Sequence, residues 1–339
     1  MLGVNTDQNN VSGGLNTLGD GSFQNTVSGL SNTLGINNTA NIVSGSSNML
    51  GRYADRNAVS GSSNTLGNNA YQNAVSGSSN TLSNFSDDNA VSGQSNMLGN
   101  YSDVNAVSGV LNTLGDNSFQ NAVSGDRNAL GFTRAAGADG ILGNADDVFT
   151  AVTDSDMDGD FGGDNNNISG LRNVLGEESD NNIIGGQDNT LGNFSNLNAV
   201  SGQGNTLGND AISNAVSGSS NTLGINALRN AVSGLNNRLG DTSDNNDVTG
   251  EGNVLGVNAD QNNVSGGLNT LGDGSFQNTV SGLSNTLGIN NLGNAVSGQS
   301  NMLGNNADEN AVSGRSNTCL LYTSPSPRDQ RGSRMPSSA

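Results

Sequence analysis

The chain has 339 residues, of which 32% are hydrophobic and 4% aromatic, with 50 glycines, no Trp and no His. Such a composition ordinarily indicates low complexity or disorder, because too few apolar side chains are present to build a conventional core. The net charge of -19 argues against nucleic-acid binding, since neutralising phosphates requires Lys and Arg. No apolar stretch reaches the roughly 18 residues that a membrane-spanning helix needs, so the sequence predicts no membrane span.

A strict repeat of 16 residues overrides the expectation of disorder. A Val or Ile recurs at this spacing in two runs, from Val11 to Val123 and from Ile168 to Val312, which gives eighteen repeats. A short fixed period predicts a solenoid, in which each coil needs only one or two apolar side chains because it packs on its neighbours. The sequence therefore predicts an all-β fold, namely a β-solenoid (β-roll or β-helix) of about 18 coils with one inserted acidic loop.

Three positions of the repeat are the same in all eighteen coils: an Asn two residues before the valine, a Gly two residues after it, and an Asn two residues before the leucine. Strand alternation predicts that the first Asn, the valine and the glycine face inward, and that the residues between them, such as Ala58 and Ser60, face outward. The leucine forms a second inward column, and a small residue four positions later, such as Ala70, marks a third corner. Inward asparagines are expected to hydrogen-bond from coil to coil and to satisfy backbone groups at the bends.

The aromatic residues of the repeats stand three or five positions after the leucine, on either side of the small corner residue. This spacing predicts that they point outward along one edge of the solenoid. We expect them to form a stacked ribbon that shields the corner, and a carbohydrate-stacking edge is the alternative.

The period breaks once, between residues 132 and 164. In this insert, acidic side chains alternate with other residues around a glycine, at Asp154, Asp156, Asp158 and Asp160. The pattern is typical of calcium loops, because Ca²⁺ takes about six to eight oxygen ligands around a tight turn. The twelfth position of the loop is Asn165 rather than Glu, so it resembles the aspartate-rich loops of secreted bacterial proteins more than an EF-hand. The sequence predicts calcium binding here, with a solvated acidic loop as the alternative.

These patterns divide the chain into four segments. Coils 1 to 8 occupy residues 1–131, the insert 132–164, coils 9 to 18 residues 165–317, and a tail residues 318–339. The tail contains the single cysteine and all three prolines, and it resembles translated sequencing-adapter read-through. We therefore expect the tail to lie outside the solenoid.

Two columns of small outward residues are candidate functional surfaces. Coils are expected to repeat every ~4.7–4.8 Å, and outward neighbours on one strand lie about 6.7 Å apart, distances close to repeats in ice lattice planes. A flat, uncharged array of methyl and hydroxyl groups at these spacings can order water in an ice-like layer. The first column follows the valine strand: Ala58, Ser60, Ala74, Ser76, Ala90, Ser92, Ala106, Ser108, Ala122, Ser124, Ala199, Ser201, Ala215, Ser217, Ala231 and Ser233. The alternative column follows the leucine strand: Thr17, Thr33, Thr65, Thr81, Thr113, Thr190, Thr206, Thr222, Thr270 and Thr286.

The half-repeat Asn-Ala-Val-Ser-Gly, as in residues 73–77, resembles the xxNxVxG repeat of the grass ice-recrystallisation-inhibition (antifreeze) proteins. The resemblance covers all eighteen coils, and it implies a β-roll whose flat face of small outward residues binds ice. The chain departs from that pattern in its longer coil and in the frequent Ala where the family has an outward Thr or Val. The choice between the Ala/Ser column and the Thr column as the ice face therefore stays open.

The Val-Ser-Gly and Asn-x-Leu-Gly repeats also resemble the head repeats of trimeric autotransporter adhesins. The alternative function is thus a repetitive cell-surface adhesin or stalk segment of a larger secreted protein, and an inert spacer is a third possibility. The sequence predicts no enzyme, because it has no His, no phosphate-binding glycine loop followed by Lys and no usable Cys. We expect a monomer, extracellular or at the cell surface, whose partner is an ice crystal surface and whose one candidate cofactor is Ca²⁺.

Overall fold

The computed structural model describes residues 1–135, 148–151 and 163–319. Each repeat forms one coil with a five-residue strand and a two-residue strand, called here the long strand and the short strand. The long strands are Asn10–Gly14, Thr26–Leu30, Ile42–Ser46, Ala58–Ser62, Ala74–Ser78, Ala90–Gln94, Ala106–Val110, Ala122–Asp126, Asn167–Leu171, Ile183–Gln187, Ala199–Gln203, Ala215–Ser219, Ala231–Leu235, Asp247–Glu251, Asn263–Gly267, Thr279–Leu283, Ala295–Gln299 and Ala311–Arg315. The short strands are Thr17–Leu18, Thr33–Leu34, Met49–Leu50, Thr65–Leu66, Thr81–Leu82, Met97–Leu98, Thr113–Leu114, Ala129–Leu130, Val174–Leu175, Thr190–Leu191, Thr206–Leu207, Thr222–Leu223, Arg238–Leu239, Val254–Leu255, Thr270–Leu271, Thr286–Leu287, Met302–Leu303 and Thr318–Cys319.

Within residues 1–229 and within residues 230–319, equivalent strands of consecutive coils pair in parallel without a register shift. In the long strands Ala74 lies beside Ala90, and in the short strands Thr81 lies beside Met97. Paired side chains therefore stack on their counterparts in the next coil, which lie 16 residues away except across the insert, and the two parallel sheets confirm the predicted all-β solenoid. The described residues contain no helix.

The chain divides into two compact units, Met1–Arg229 and Asn230–Ala339. In the described residues the first unit contains twelve coils and the second contains six. The insert belongs to the first unit, where the coils on its two sides pair directly, Ala122 with Asn167 and Leu130 with Leu175.

Two strands and the end of the array differ from a plain stack of coils. Phe132–Ala135 and Val148–Ala151 form an antiparallel hairpin outside the two parallel sheets. At the other end, Thr318–Cys319 pairs in register with Met302–Leu303. The pairing thus continues two residues into the segment that the sequence assigned to the tail.

The core of each coil consists of three stacked columns. Val59 and Leu66 are only 2% and 1% exposed, and the corner residue Ala70 is fully buried. Stacking identical side chains removes most apolar surface of each coil from water, which explains how a chain so poor in hydrophobic residues can fold. The predicted positions of all three columns are confirmed.

Two ladders of buried asparagines hold the coils together. In the first, the backbone N–H and the Nδ2 of Asn73 donate to Oδ1 of Asn57 at 2.9 and 3.0 Å, and the same Nδ2 donates to the carbonyl of Ser86 at 2.6 Å. In the second, Nδ2 of Asn80 donates to the carbonyls of Ser76 and Gly93 at 3.0 and 3.1 Å. Each bond contributes about 1 kcal/mol, but leaving a buried group unpaired costs about 1–3 kcal/mol, so the asparagines are required at every bend.

The glycine after the valine does not face inward as the alternation predicted. Gly77 is exposed and has a φ of +109°, and a Cβ at this position would lie 2.0 Å from the carbonyl oxygen of Gly93 in the next coil. Both features exclude a side chain. The invariance of this glycine therefore comes from the close approach of backbones at a bend.

Candidate functional site

The outward first and third residues of the long strands form a surface, called here the long-strand face. The structure places all sixteen Ala and Ser residues predicted for it on the outside of the coils; fifteen are exposed and Ser233 is half-buried. Within the described residues, the hydroxyls of Ser76, Ser92 and Ser108 have no hydrogen-bond partner, so they are available to solvent. The face therefore presents methyl and hydroxyl groups in a fixed pattern.

The long-strand face is most regular over five consecutive coils, from Ala58 to Ser124. It continues in register past the insert, where Ser124 lies beside Ser169. The Ala position is taken by larger residues at Ile42 and Ile183, which are 59% and 61% exposed, so these two side chains project from the face. The strand pairing beneath this surface is therefore continuous between the coils on either side of the insert.

The outward residues of the short strands form a second surface, the short-strand face, and it is less uniform. Of the ten predicted Thr residues, nine are half-buried and only Thr206 is exposed. Met49 and Met97 replace Thr within the first unit and are 51% and 50% exposed. The side chains of this column therefore project from the surface to different extents.

The hairpin covers part of the short-strand face. Its first strand, Phe132–Ala135, contacts the short strand Val174–Leu175. Val174 is 1% exposed and Ala129, beside it in the sheet, is 5% exposed, whereas their counterparts in other coils are half-buried or exposed. The hairpin therefore divides the Thr column of the first unit into two parts.

Negative charge is concentrated away from both faces, on the turns that lead from each short strand to the next coil. This turn edge, residues 67–72 in one coil, carries eighteen of the twenty-two Asp and Glu residues that the structure describes. Asp247 is the one acidic side chain on the described long-strand face. The long-strand face is therefore almost neutral in a protein with a net charge of -19.

The turn edge contains two further hydrogen-bonded ladders, which were not among the features predicted from the sequence. The backbone N–H of Asn68 donates to Oδ1 of Asn84 at 2.8 Å, and the N–H of Tyr71 donates to Oδ1 of Asp87 at 2.9 Å. In the sequence, these ladders correspond to an Asn or Asp that recurs two and five residues after the leucine of the repeat. Many acidic residues of the turn edge thus accept backbone hydrogen bonds, so their first role is structural.

One carboxyl group of the turn edge has a perturbed acidity. Burial raises the pKa of Asp87 above its ordinary value, and the neighbouring carboxylates of Asp103 and Asp88 raise it further, against the lowering effect of the Tyr71 N–H. Two aromatic side chains of the same edge, in consecutive coils, stack on each other. The rings of Phe85 and Tyr101 are parallel to within 4°, with their centroids 4.9 Å apart.

The predicted metal ligands, Asp154, Asp156, Asp158 and Asp160, lie outside the described residues, so calcium binding stays a prediction. Among residues 1–135, 148–151 and 163–319, no group of three or more His, Cys, Asp or Glu side chains is placed to hold a metal ion. The same part of the chain has no helix with the length and apolarity needed to cross a bilayer.

No protein-family model matches the chain, and no curated protein matches it. One solved structure that aligns with it is entitled "Activity and Crystal Structure of Arabidopsis UDP-N-acetylglucosamine acyltransferase", with 13% identity over 70% of this chain and 65% of that chain. The TM-score of 0.15 is too low for this likeness to bear on fold or activity.

Proposed function

We propose that this protein binds ice through its long-strand face. The observation that carries the proposal is the neutral, exposed ladder of Ala methyl and Ser hydroxyl groups from Ala58 to Ser124, repeated in register from coil to coil. Water bound to such a surface meets the same groups every ~4.8 Å along the stack. Most of the described acidic side chains, whose hydration shells would disturb an ice-like water layer, lie on the turn edge instead.

Rigidity of the backbone supports this function. The asparagine ladders fix each long strand at both ends, as Asn73 and Asn80 do for the strand Ala74–Ser78. Ala and Ser have little side-chain entropy to lose on binding, and a surface that is already ordered loses little freedom when it contacts a crystal. The face therefore acts as a preformed template.

The short-strand face is the weaker candidate for the same role. Its Thr side chains are mostly half-buried, exposed Met side chains break the column, and the hairpin lies against Val174. An extended crystal plane could not contact this face along the whole first unit, whereas the long-strand face is uniform over the five coils from Ala58 to Ser124.

The proposal is one of binding rather than catalysis, by an extracellular or cell-surface protein that acts as a monomer. A monomer leaves the long-strand face free. The alternative, a trimeric adhesin head, would bury coil faces between subunits. The mass of the protein in solution, measured by light scattering, therefore separates the two functions: a trimer would favour the adhesin.

The direct test is an ice-recrystallisation-inhibition assay on matched triple variants of the full chain. Replacing Ser76, Ser92 and Ser108 by Tyr should abolish activity, because three large rings would hold an ice plane away from the face. The control replaces Thr65, Thr81 and Thr113 by Tyr and should keep activity. Circular dichroism melts check that both variants stay folded.

Each other outcome has a clear meaning. Loss of activity only in the Thr variant would transfer the site to the short-strand face. An inactive wild-type chain, or full activity in the Ser variant together with full activity in the Thr variant, would refute the proposed function.

A further inference from the structure

Two carboxylates stand at the same position of consecutive turns, at Asp87 and Asp103. The backbone N–H of Asp87 donates to Oδ1 of Asp103 at 2.8 Å, and the N–H of Tyr71 donates to Oδ1 of Asp87 at 2.9 Å. The strand spacing puts equivalent groups of the two coils ~4.8 Å apart. Like charges at such a distance repel each other when both are ionised.

The surroundings of the pair add negative charge and no counter-ion. Asp88 follows directly, with a φ of +55°, and Asp55 occupies the same turn position two coils before Asp87. The nearby cation, Arg56, instead lies over the ring of Tyr71, with its Cζ 5.3 Å from the centroid, and donates to the Tyr71 hydroxyl. Among the described residues neither Asp87 nor Asp103 has a salt bridge.

We propose that this carboxyl pair is a pH-sensitive element of the fold, in which uptake of a proton tightens the stacking of the turns 84–88 and 100–104. The element lies on the turn edge, so the proposal is independent of ice binding. Each carboxyl oxygen that accepts a backbone N–H has to stay in place in both protonation states, while the repulsion exists only when both groups are ionised.

The direction of the effect follows from the acidity of Asp87. Burial is the main cause that raises its pKa, and Asp103 and Asp88 act in the same sense. A folded-state pKa above the unfolded value means that the folded turn holds the proton more tightly. The resulting stabilisation is fully present below the ordinary pKa of Asp, about 3.9, and is lost as the pH rises through the folded-state pKa. At neutral pH this stabilisation is absent, and only the repulsion between the two carboxylates remains.

The chain itself shows which substitution removes the charge and keeps the structure. In a later coil the same turn position holds Asn196, whose Oδ1 accepts the N–H of Asp180 at 2.6 Å. Asp87→Asn and Asp103→Asn should consequently fold with the backbone hydrogen bond intact. Asp308→Asn is the matched control, because Asp308 accepts the N–H of Leu292 at 3.2 Å and so has an apolar neighbour at this position.

Hydrogen exchange followed by mass spectrometry on the full chain tests the proposal, with rates corrected for the intrinsic effect of pH. At pH 7 both Asp87→Asn and Asp103→Asn should slow exchange of the segment 84–104 by at least about twofold, since local opening becomes rarer. Below pH 4 wild type and variants should exchange alike. The control should leave the rates of its own turn, 289–309, unchanged at either pH.

Two results would overturn the proposal. Equal exchange of wild type and variants at pH 7 would mean that the repulsion has no effect on the fold. A difference that persists unchanged below pH 4 would mean that the substitution acts through packing rather than through charge.

Discussion

The long strand and the turn edge of each coil are both held by hydrogen bonds between coils, yet they differ in how much their sequences vary from coil to coil. On the long strand, the residues at positions 74–77 recur in many coils, and the side chains at the first and third positions are mostly small and neutral. On the turn edge, Asn, Asp, Tyr, Phe and Arg alternate freely. The scaffold therefore depends on the backbone and the inward asparagines, which leaves selection free to keep one side uniform and to place charge on the other.

The largest effect is expected from a pair of adjacent glycines in the long strand Ile183–Gln187. A Cβ on Gly186 would lie 2.0 Å from the carbonyl oxygen of Gly202, and its φ is +106°, whereas the nearest atom to a Cβ on Gly185 is Oγ of Ser169 at 3.6 Å. Gly186→Ala should lower the free energy of unfolding by about 4 kcal/mol or more, since backbone of the next coil has to move. Denaturant-induced unfolding monitored by circular dichroism measures the loss.

Gly185→Ala is the matched control one residue away. It adds the same methyl group where the Ser column of other coils already has a side chain, so a change within about 0.5 kcal/mol is expected. Similar losses for the two variants would show that the bend of the long strand is not the point where the coils approach most closely.

The second prediction compares an interior asparagine with one on the turn edge. Asn73 is 1% exposed; its Oδ1 accepts from the backbone N–H and the Nδ2 of Asn89, and its Nδ2 donates to Ser86. Asn73→Ala should cost about 3 kcal/mol because these buried groups lose their partners.

Asn68→Ala should cost only about 1 kcal/mol, because the exposed N–H of Arg52, which donates to Asn68 at 2.8 Å, can bond to water instead. Thermal melts of the two variants provide the comparison. If Asn68→Ala were as damaging as Asn73→Ala, the turn-edge ladder would belong to the scaffold as much as the interior ladders do.

Much of this architecture can be predicted from the sequence because the same 16-residue repeat occurs eighteen times. Repetition separates constant positions such as Val59, Leu66 and Asn64 from variable ones, and strand alternation then assigns them to the inside. The small corner at Ala70 follows from the same reasoning. What was predictable is therefore what depends on contacts between equivalent residues.

The remaining features depend on contacts between non-equivalent residues. The contact between the hairpin and the short strand at Val174 involves residues outside the 16-residue repeat. The repeat pattern therefore does not predict it. The close approach of Gly77 to Gly93 depends on the backbone rather than on a side chain. Strand alternation wrongly predicted that this glycine faces inward. The sequence shows that the Thr column is interrupted, but it does not show how far each side chain of the two candidate faces is exposed.

A third prediction concerns the insert, whose strand Phe132–Ala135 contacts the short strand Val174–Leu175. The predicted calcium loop, Asp154 to Asp160, follows the strand Val148–Ala151 closely in sequence. Ca²⁺ should raise thermal stability by up to about 2.7 kcal/mol at a hundredfold excess over its dissociation constant. Melting curves with a chelator and with excess Ca²⁺ measure the shift.

Asp154→Asn combined with Asp156→Asn should abolish that shift, while Asp247→Asn, which removes one charge from the long strand Asp247–Glu251, should preserve it. Identical melting with chelator and with Ca²⁺ in the wild-type chain would assign the insert to the solvated acidic loops instead.

The smallest expected effect concerns strain stored on the turn edge. Val104 has a φ of +60°, a left-handed conformation that is unfavourable for a β-branched residue, and its side chain is 44% exposed. Val104→Asn should therefore raise the free energy of unfolding by about 1 kcal/mol, because Asn tolerates this conformation and little apolar burial is lost.

Val110→Asn, at the end of the long strand Ala106–Val110, is the control and should destabilise slightly, by about 0.5 kcal/mol, since a strand favours Val. Opposite signs in thermal melts would show that the turn edge tolerates strain that the long strand does not contain. A loss of stability at both positions would mean that the contacts of Val104 outweigh its strain.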